Sequence, residues 1–143
     1  MCMTKRYALA PPILAALLLL GGQALAATTD RGSVIASRDL RFADRPDGGV
    51  EVTNAATGEV VRELDRGSHN FVRALMRGLV QARLHESIGP EIPFRLTAFS
   101  DGQLVLDDPA THRSIELEAF GPTNAGDFVE MLPLKRVATG ETP

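Results

Sequence analysis

The chain carries one pattern twice, in gapless register, 54 residues apart. Arg41, Asp47, Gly48, Ala56, Thr57, Gly67 and Asn70 recur as Arg95, Asp101, Gly102, Ala110, Thr111, Gly121 and Asn124. Between them fall conservative echoes: Leu40/Phe94, Phe42/Leu96, Val50/Leu104, Val52/Leu106, Asn54/Asp108 and Val61/Ile115. The matches sit at turn residues and alternating apolar positions, which two copies of one supersecondary unit retain in common. The register blurs after Val61.

Each unit reads as three strands and a helix. In the first, Asp39–Ala43 is extended and Pro46-Asp47-Gly48-Gly49 turns, Pro presetting φ and Gly accepting a positive one. Val50-Glu51-Val52-Thr53 has the alternation of a half-buried strand, and Thr57-Gly58 leads into Glu59–Leu64. In the second, Phe94–Phe99, the turn at Ser100-Asp101-Gly102, Gln103–Asp107, the turn at Asp108-Pro109-Ala110-Thr111 and Arg113–Leu117 repeat the plan. Both then close with Gly-x-x-Asn, and Asn70 and Asn124 are suited to cap helices, a side-chain acceptor satisfying free N–H groups.

The first helix is expected from Phe71 to Glu86. Phe71, Leu75, Gly78 and Ala82 form one stripe, widened by Val72, Met76 and Leu79 to nearly half the circumference. That is more than one small sheet needs, so part of the helix should meet the second unit or a partner. The second helix, about Asn124 to Leu132, carries Phe128, Val129 and Leu132. The expected fold is α+β: two tandem three-strand-plus-helix units as two three-stranded layers, related by a pseudo-dyad around one core, after an N-terminal apolar leader. Residues 1–29 read as a signal or membrane anchor, 34–133 as an exported domain of two repeats (about 38–88 and 92–133), and 134–143 as a flexible tail.

The leader has Lys5-Arg6 ahead of an uncharged run from Tyr7 to Thr29, which places the domain on the outer side. Ala24-Leu25-Ala26 resembles a signal-peptidase site, while Tyr7 to Ala27 is long enough to span a bilayer, so cleaved signal and retained anchor both stand. Cys2, the only cysteine, lies in the leader, so the exported domain has no disulfide. Without its first 26 residues the chain keeps 13 basic and 18 acidic residues, a net charge of −5, which argues against nucleic-acid binding.

No nucleophile motif, His-x-x-x-His or phosphate-cradling glycine loop is present. His69, His85 and His112 are scattered over expected turns and helix ends, where surface exposure is a commoner role than metal or tetrapyrrole ligation. Asp107-Asp108 invites comparison with catalytic carboxylate pairs, but Asp108-Pro109 begins a turn, where Asp bonds its own backbone. One electrostatic feature stands out: Arg66 to His85 holds no acidic residue, while Arg66, Arg73, Arg77 and Arg83 are basic. Arg73 and Arg77, one turn apart and opposite the apolar stripe, make a cationic face suited to anionic headgroups or an acidic partner.

Arg38-Asp39-Leu40-Arg41-Phe42-Ala43-Asp44-Arg45, Phe71-Val72-Arg73, Arg77-Gly78-Leu79, Pro93-Phe94-Arg95-Leu96-Thr97, Leu106-Asp107-Asp108-Pro109-Ala110-Thr111 and Ala119-Phe120-Gly121-Pro122-Thr123-Asn124 together resemble the photosynthetic complex assembly protein family of purple bacteria, the PuhC type. The resemblance runs from about Arg38 to Leu132. It implies a membrane-anchored, periplasm-facing, non-enzymatic factor that organises the light-harvesting 1 antenna around the reaction centre. The chain departs from the family pattern at Ser68-His69-Asn70-Phe71, where a Gly-Thr-Asn-Gly corner is common, and at His112, where Gly is usual.

The partner-binding residues this reading selects are Asn70, Arg73, Arg77, Phe120, Gly121, Pro122, Thr123 and Asn124, with Asn70 and Asn124 serving also as caps and Phe120 as core. The expected partners are light-harvesting 1 and reaction-centre polypeptides and, through the leader, the membrane. No catalytic residue, metal or cofactor is expected. The competing reading is a soluble periplasmic ligand- or pigment-binding domain with a cleft between the repeats, and bacteriochlorophyll handling belongs to that reading.

Overall fold

The computed structural model describes residues 31–134. The apolar leader and the tail beyond Leu134 lie outside the described residues. Six strands form one antiparallel sheet: β1 (Val34–Asp44), β2 (Val50–Asn54), β3 (Val60–Leu64), β4 (Phe94–Phe99), β5 (Leu104–Asp108) and β6 (Arg113–Glu116). Helix α1 (Asn70–His85) follows β3, and a 3-10 turn at Leu117–Phe120 leads from β6 into α2 (Pro122–Val129). Strand order is β3-β2-β1-β4-β5-β6. The expected two layers are therefore one: each three-stranded meander puts its first strand at the centre, and β1 and β4 zip together there. Leu40 faces Phe94 across that seam.

The β1–β2 and β4–β5 registers correspond, while β2–β3 departs from β5–β6 at a bulge between Val52 and Thr53. Arg41, Phe42, Ala43 and Asp44 of β1 face Thr53, Val52, Glu51 and Val50. Moved 54 residues, these become the β4–β5 pairs of Arg95, Leu96, Thr97 and Ala98 with Asp107, Leu106, Val105 and Leu104. Thr53 with Val60 likewise corresponds to Asp107 with Ser114. Six of the eight positive φ angles among the described residues follow the same spacing, at Gly48 and Gly102, Gly58 and His112, and Gly67 and Gly121, while His69 and Ser87 have no counterpart.

β1 is longer than its expected Asp39–Ala43 because it serves two partners. Its first part pairs with β4 from Val34 to Leu40, and its last part pairs with β2 from Leu40 to Asp44. Alternation then sends one set of side chains to a common core. Leu40, Val52, Leu64, Leu96, Leu104 and Leu106 meet Val72, Met76 and Leu79 of α1, Phe128 of α2, and Leu117, Met131 and Leu132. Each large aliphatic buried here contributes about 1.5–3 kcal/mol. The opposite face is mostly polar, apart from the buried Val105, with Arg95 donating to Asp39 at 2.8 Å and Ser37 and Thr97 hydroxyls 3.2 Å apart.

The helices depart from expectation at their starts. α1 opens on His69, held at φ 49° in the left-handed region, with no side-chain cap. α2 opens on Gly121, at φ 90° and ψ 161°, with Pro122 leading the first turn. Asn70 and Asn124 therefore cap neither helix. Asn124 instead lies inside α2 and donates its Nδ2 to the Phe120 carbonyl at 2.9 Å. Pro122, with φ preset and no N–H to be capped, starts the helix two residues before the position the capping reading gave to Asn124. Among the described residues no helix is long and apolar enough to cross a membrane.

Candidate functional site

The eight selected residues fall into two groups: Asn70 joins Phe120–Asn124 at the start of α1, while Arg73 and Arg77 lie on another side of that helix. Successive helical residues turn by about 100°, so Phe71 and Arg73 cannot share a face. Phe71 reaches α2: its ring lies 4.9 Å from Phe120 and 6.2 Å from Phe128. This fastens the start of α1 to the Phe120–Asn124 corner. His69 Nδ1 and Asp127 Oδ1, 3.0 Å apart, fasten it a second time. His69 is thus a half-buried bridging residue rather than a free surface histidine. Asn70, Pro122 and Thr123 stand exposed at this corner. Phe120, expected in the core, is 48% exposed and covers only one side of Phe71.

Arg73 and Arg77 open instead toward the other half of the sheet. They line a cavity of about 290 Å³ with Phe42, Asp44, Val50 and Leu64. Arg77 is exposed, whereas Arg73 is half-buried. Among the described residues, the shielded Nη1 of Arg73 has no hydrogen-bond partner.

Arg83 is not part of the cationic face. It lies on the inward stripe with Val72, Met76 and Leu79, only 4% exposed, against Asp108 at 1%. Nε of Arg83 donates to both Asp108 oxygens at 3.0–3.1 Å, Nη2 donates to Oδ1 at 2.7 Å, and Nη1 donates to the Ile92 carbonyl at 2.8 Å. The guanidinium also stacks 3.9 Å above the Phe94 ring, a desolvated cation–π contact. Asp108 does the turn work expected of it, accepting from the Ala110 N–H and the Thr111 hydroxyl, each at 3.0 Å. Burial is the largest single influence on its carboxyl and opposes ionisation. The hydrogen bonds from Arg83, Thr111 and Ala110 together outweigh it, holding Asp108 below the usual carboxylate range.

Beside this pair lies an apolar cleft of about 650 Å³ between β1, the end of α1 and the loop Ile88–Pro93. Its lining includes Phe42, Val80, Leu84, Ile88 and Ile92. Val80, Leu84 and Ile92 are 44%, 59% and 45% exposed. Sequence reasoning missed both features. The usable signals were Arg83 standing in line with the apolar stripe, and Val80 and Leu84 standing four apart but off it. Among the described residues no cluster of three or more His, Cys, Asp or Glu is arranged to hold a metal ion.

No solved structure matches the chain. A relative from Rhodobacter capsulatus, described as an uncharacterized 17.4 kDa protein in the puhA 5' region, is 31% identical over 78 residues. That alignment covers 54% of this chain and 47% of the relative, so the chain spans about half the length of the curated relative it matches. The family described as photosynthetic complex reorganisation protein PuhC matches residues 35–137. That span takes in all of the described strands and helices but the first residue of β1, and the chain belongs to the PuhC family.

Proposed function

We propose that the protein is a non-enzymatic factor that helps assemble or organise the photosynthetic reaction centre–light-harvesting 1 complex, acting by protein–protein contacts at the periplasmic membrane face. The family match over residues 35–137 carries this reading. The leader, with its basic start and apolar run, supports an anchored, outward-facing domain. Two surfaces are offered to the partners: Arg73 and Arg77 on α1, and the corner formed by Asn70 and Phe120–Asn124. The exposed ring of Phe120, packed on Phe71, suits an apolar anchor ringed by polar neighbours.

We also read the domain as an internal duplication. Strand registers and positive-φ positions that correspond at a spacing of 54 residues support it. A duplicated meander places a helix after each copy on the same face of the sheet, which suits a factor touching more than one polypeptide.

The test is a strain lacking the protein, complemented by the wild-type chain or by Arg73→Glu with Arg77→Glu. Assembled core complex is measured by sucrose-gradient fractionation and antenna absorbance. Less assembled complex without the protein, restored by wild type and poorly restored by the folded double variant, is expected. Normal assembly in its absence overturns the reading.

A further inference from the structure

We propose that the flank of α1 facing β1 is a binding groove for one acyl chain of an anionic phospholipid, with the phosphate held by Arg73 and Arg77. The two cavities already described are neighbours: both are lined by Phe42 and Val80. Taken together they run along α1 from Val72 to Leu84, over β1 and on to the loop at Ile88–Pro93. Along the exposed side of the helix, Arg73, Arg77, Val80 and Leu84 follow at i, i+4, i+7 and i+11. That spacing puts them on one line, cationic at its first half and apolar at its second.

A ligand that satisfies this line has an anionic group at one end and a long apolar body. The cationic end has a reason to take a charge: Arg73 holds a shielded Nη1 without a partner among the described residues, and Arg77 is exposed beside it. Asp44 shares that cavity, leaving the end with one excess positive charge. The apolar end has little to offer a polar guest. Of its basic side chains, Arg83 is committed to Asp108 and the Ile92 carbonyl, and Arg41 Nη1 donates to the Pro90 carbonyl at 3.0 Å. Its remaining ionisable lining residue is Glu91, which repels an anion and so favours the headgroup at the Arg73 end.

A peptide in the same groove brings backbone N–H and C=O groups that must be satisfied, whereas an acyl chain brings none. The volume, about 650 Å³ for the apolar part, falls in the ordinary range for ligand sites. Contacts between a few basic side chains and an anionic headgroup are individually modest, so two arginines select headgroup charge without irreversible binding. The inference goes beyond the protein-contact reading and does not rest on it.

The full chain is reconstituted into vesicles containing a trace of phosphatidylglycerol with a photoactivatable diazirine acyl chain, or phosphatidylcholine with the same chain. After illumination, labelled peptides are mapped by mass spectrometry. Label in the leader serves as an internal standard. Expected is label within residues 78–93 from the phosphatidylglycerol probe, at least fivefold above that from phosphatidylcholine. Arg73→Glu with Arg77→Glu should remove that preference. Leu84→Asp, at an exposed position, should lower the groove label while circular dichroism and leader label stay unchanged. Label confined to the leader, or groove label indifferent to headgroup and to both variants, overturns the proposal. The vesicles contain no photosynthetic polypeptide, so this outcome is independent of the assembly test.

Discussion

Arg83 enters the core because each of its guanidinium nitrogens finds an acceptor there, on Asp108 or on the Ile92 carbonyl. The pair ties the last turns of α1 to the end of β5 and to the loop before β4. Removing one partner leaves a buried charge uncompensated, which costs about 3–5 kcal/mol. Asp108→Asn should therefore lower stability by about 3 kcal/mol in denaturant unfolding, and adding Arg83→Met should recover part of that loss. The pH dependence has a definite sign. The folded-state carboxyl lies below its ordinary value, so its stabilisation is complete above about pH 4 and fades as pH falls through the folded value. Unfolding of the wild type between pH 7 and pH 3 should show this loss, and Asp108→Asn should show less of it. His112, at φ 55°, occupies a conformation that costs a non-glycine residue about 1 kcal/mol. His112→Gly should raise stability by about 0.5–1 kcal/mol in the same assay, less whatever unfolded-state entropy glycine adds.

Among the elements, the strands were the most legible in the sequence. Val50–Thr53 and Phe94–Phe99 alternate cleanly, and the Asp-Gly turns mark where they end. Less legible was how far β1 extends: its first residues pair only with β4, a long-range contact that Val34–Arg38 do not announce. The helix starts were misread for a local reason. Asn70 and Asn124 have the right chemistry for caps, but His69 in a left-handed conformation and Gly121 followed by Pro122 already set the entry of each helix. Arg83 was assigned to the surface by its charge, although its place in line with Val72, Met76 and Leu79 puts it inside. Of the candidate site, Arg77, Asn70, Pro122 and Thr123 are accessible. Phe120 is exposed because Phe128 fills the core position beneath Phe71. The apolar cleft was hidden because it joins α1 to a loop of prolines and isoleucines with no periodicity of its own. At this scale, Arg73→Glu with Arg77→Glu should leave the far-ultraviolet circular dichroism spectrum unchanged, since neither side chain belongs to the apolar core, and should weaken partner capture several-fold.

At the scale of the whole molecule, one six-stranded sheet carries both helices and leaves its other face mostly polar. The central β1–β4 seam makes the two meanders a single core rather than two joined units, so unfolding should be one cooperative transition. Calorimetry of the protein that gives two resolved transitions would contradict that continuity. The helical side presents the corner at Phe120–Asn124, the arginines of α1 and the apolar cleft, all on surfaces that the core leaves free. The most direct test is affinity capture of the tagged protein from gently solubilised membranes of phototrophically grown cells, with the intact mass of the recovered chain. Co-recovery of light-harvesting 1 or reaction-centre polypeptides with a chain that retains its leader, reduced for Arg73→Glu with Arg77→Glu, is the expected result. A chain beginning near Ala27 and recovered without membrane polypeptides would contradict it.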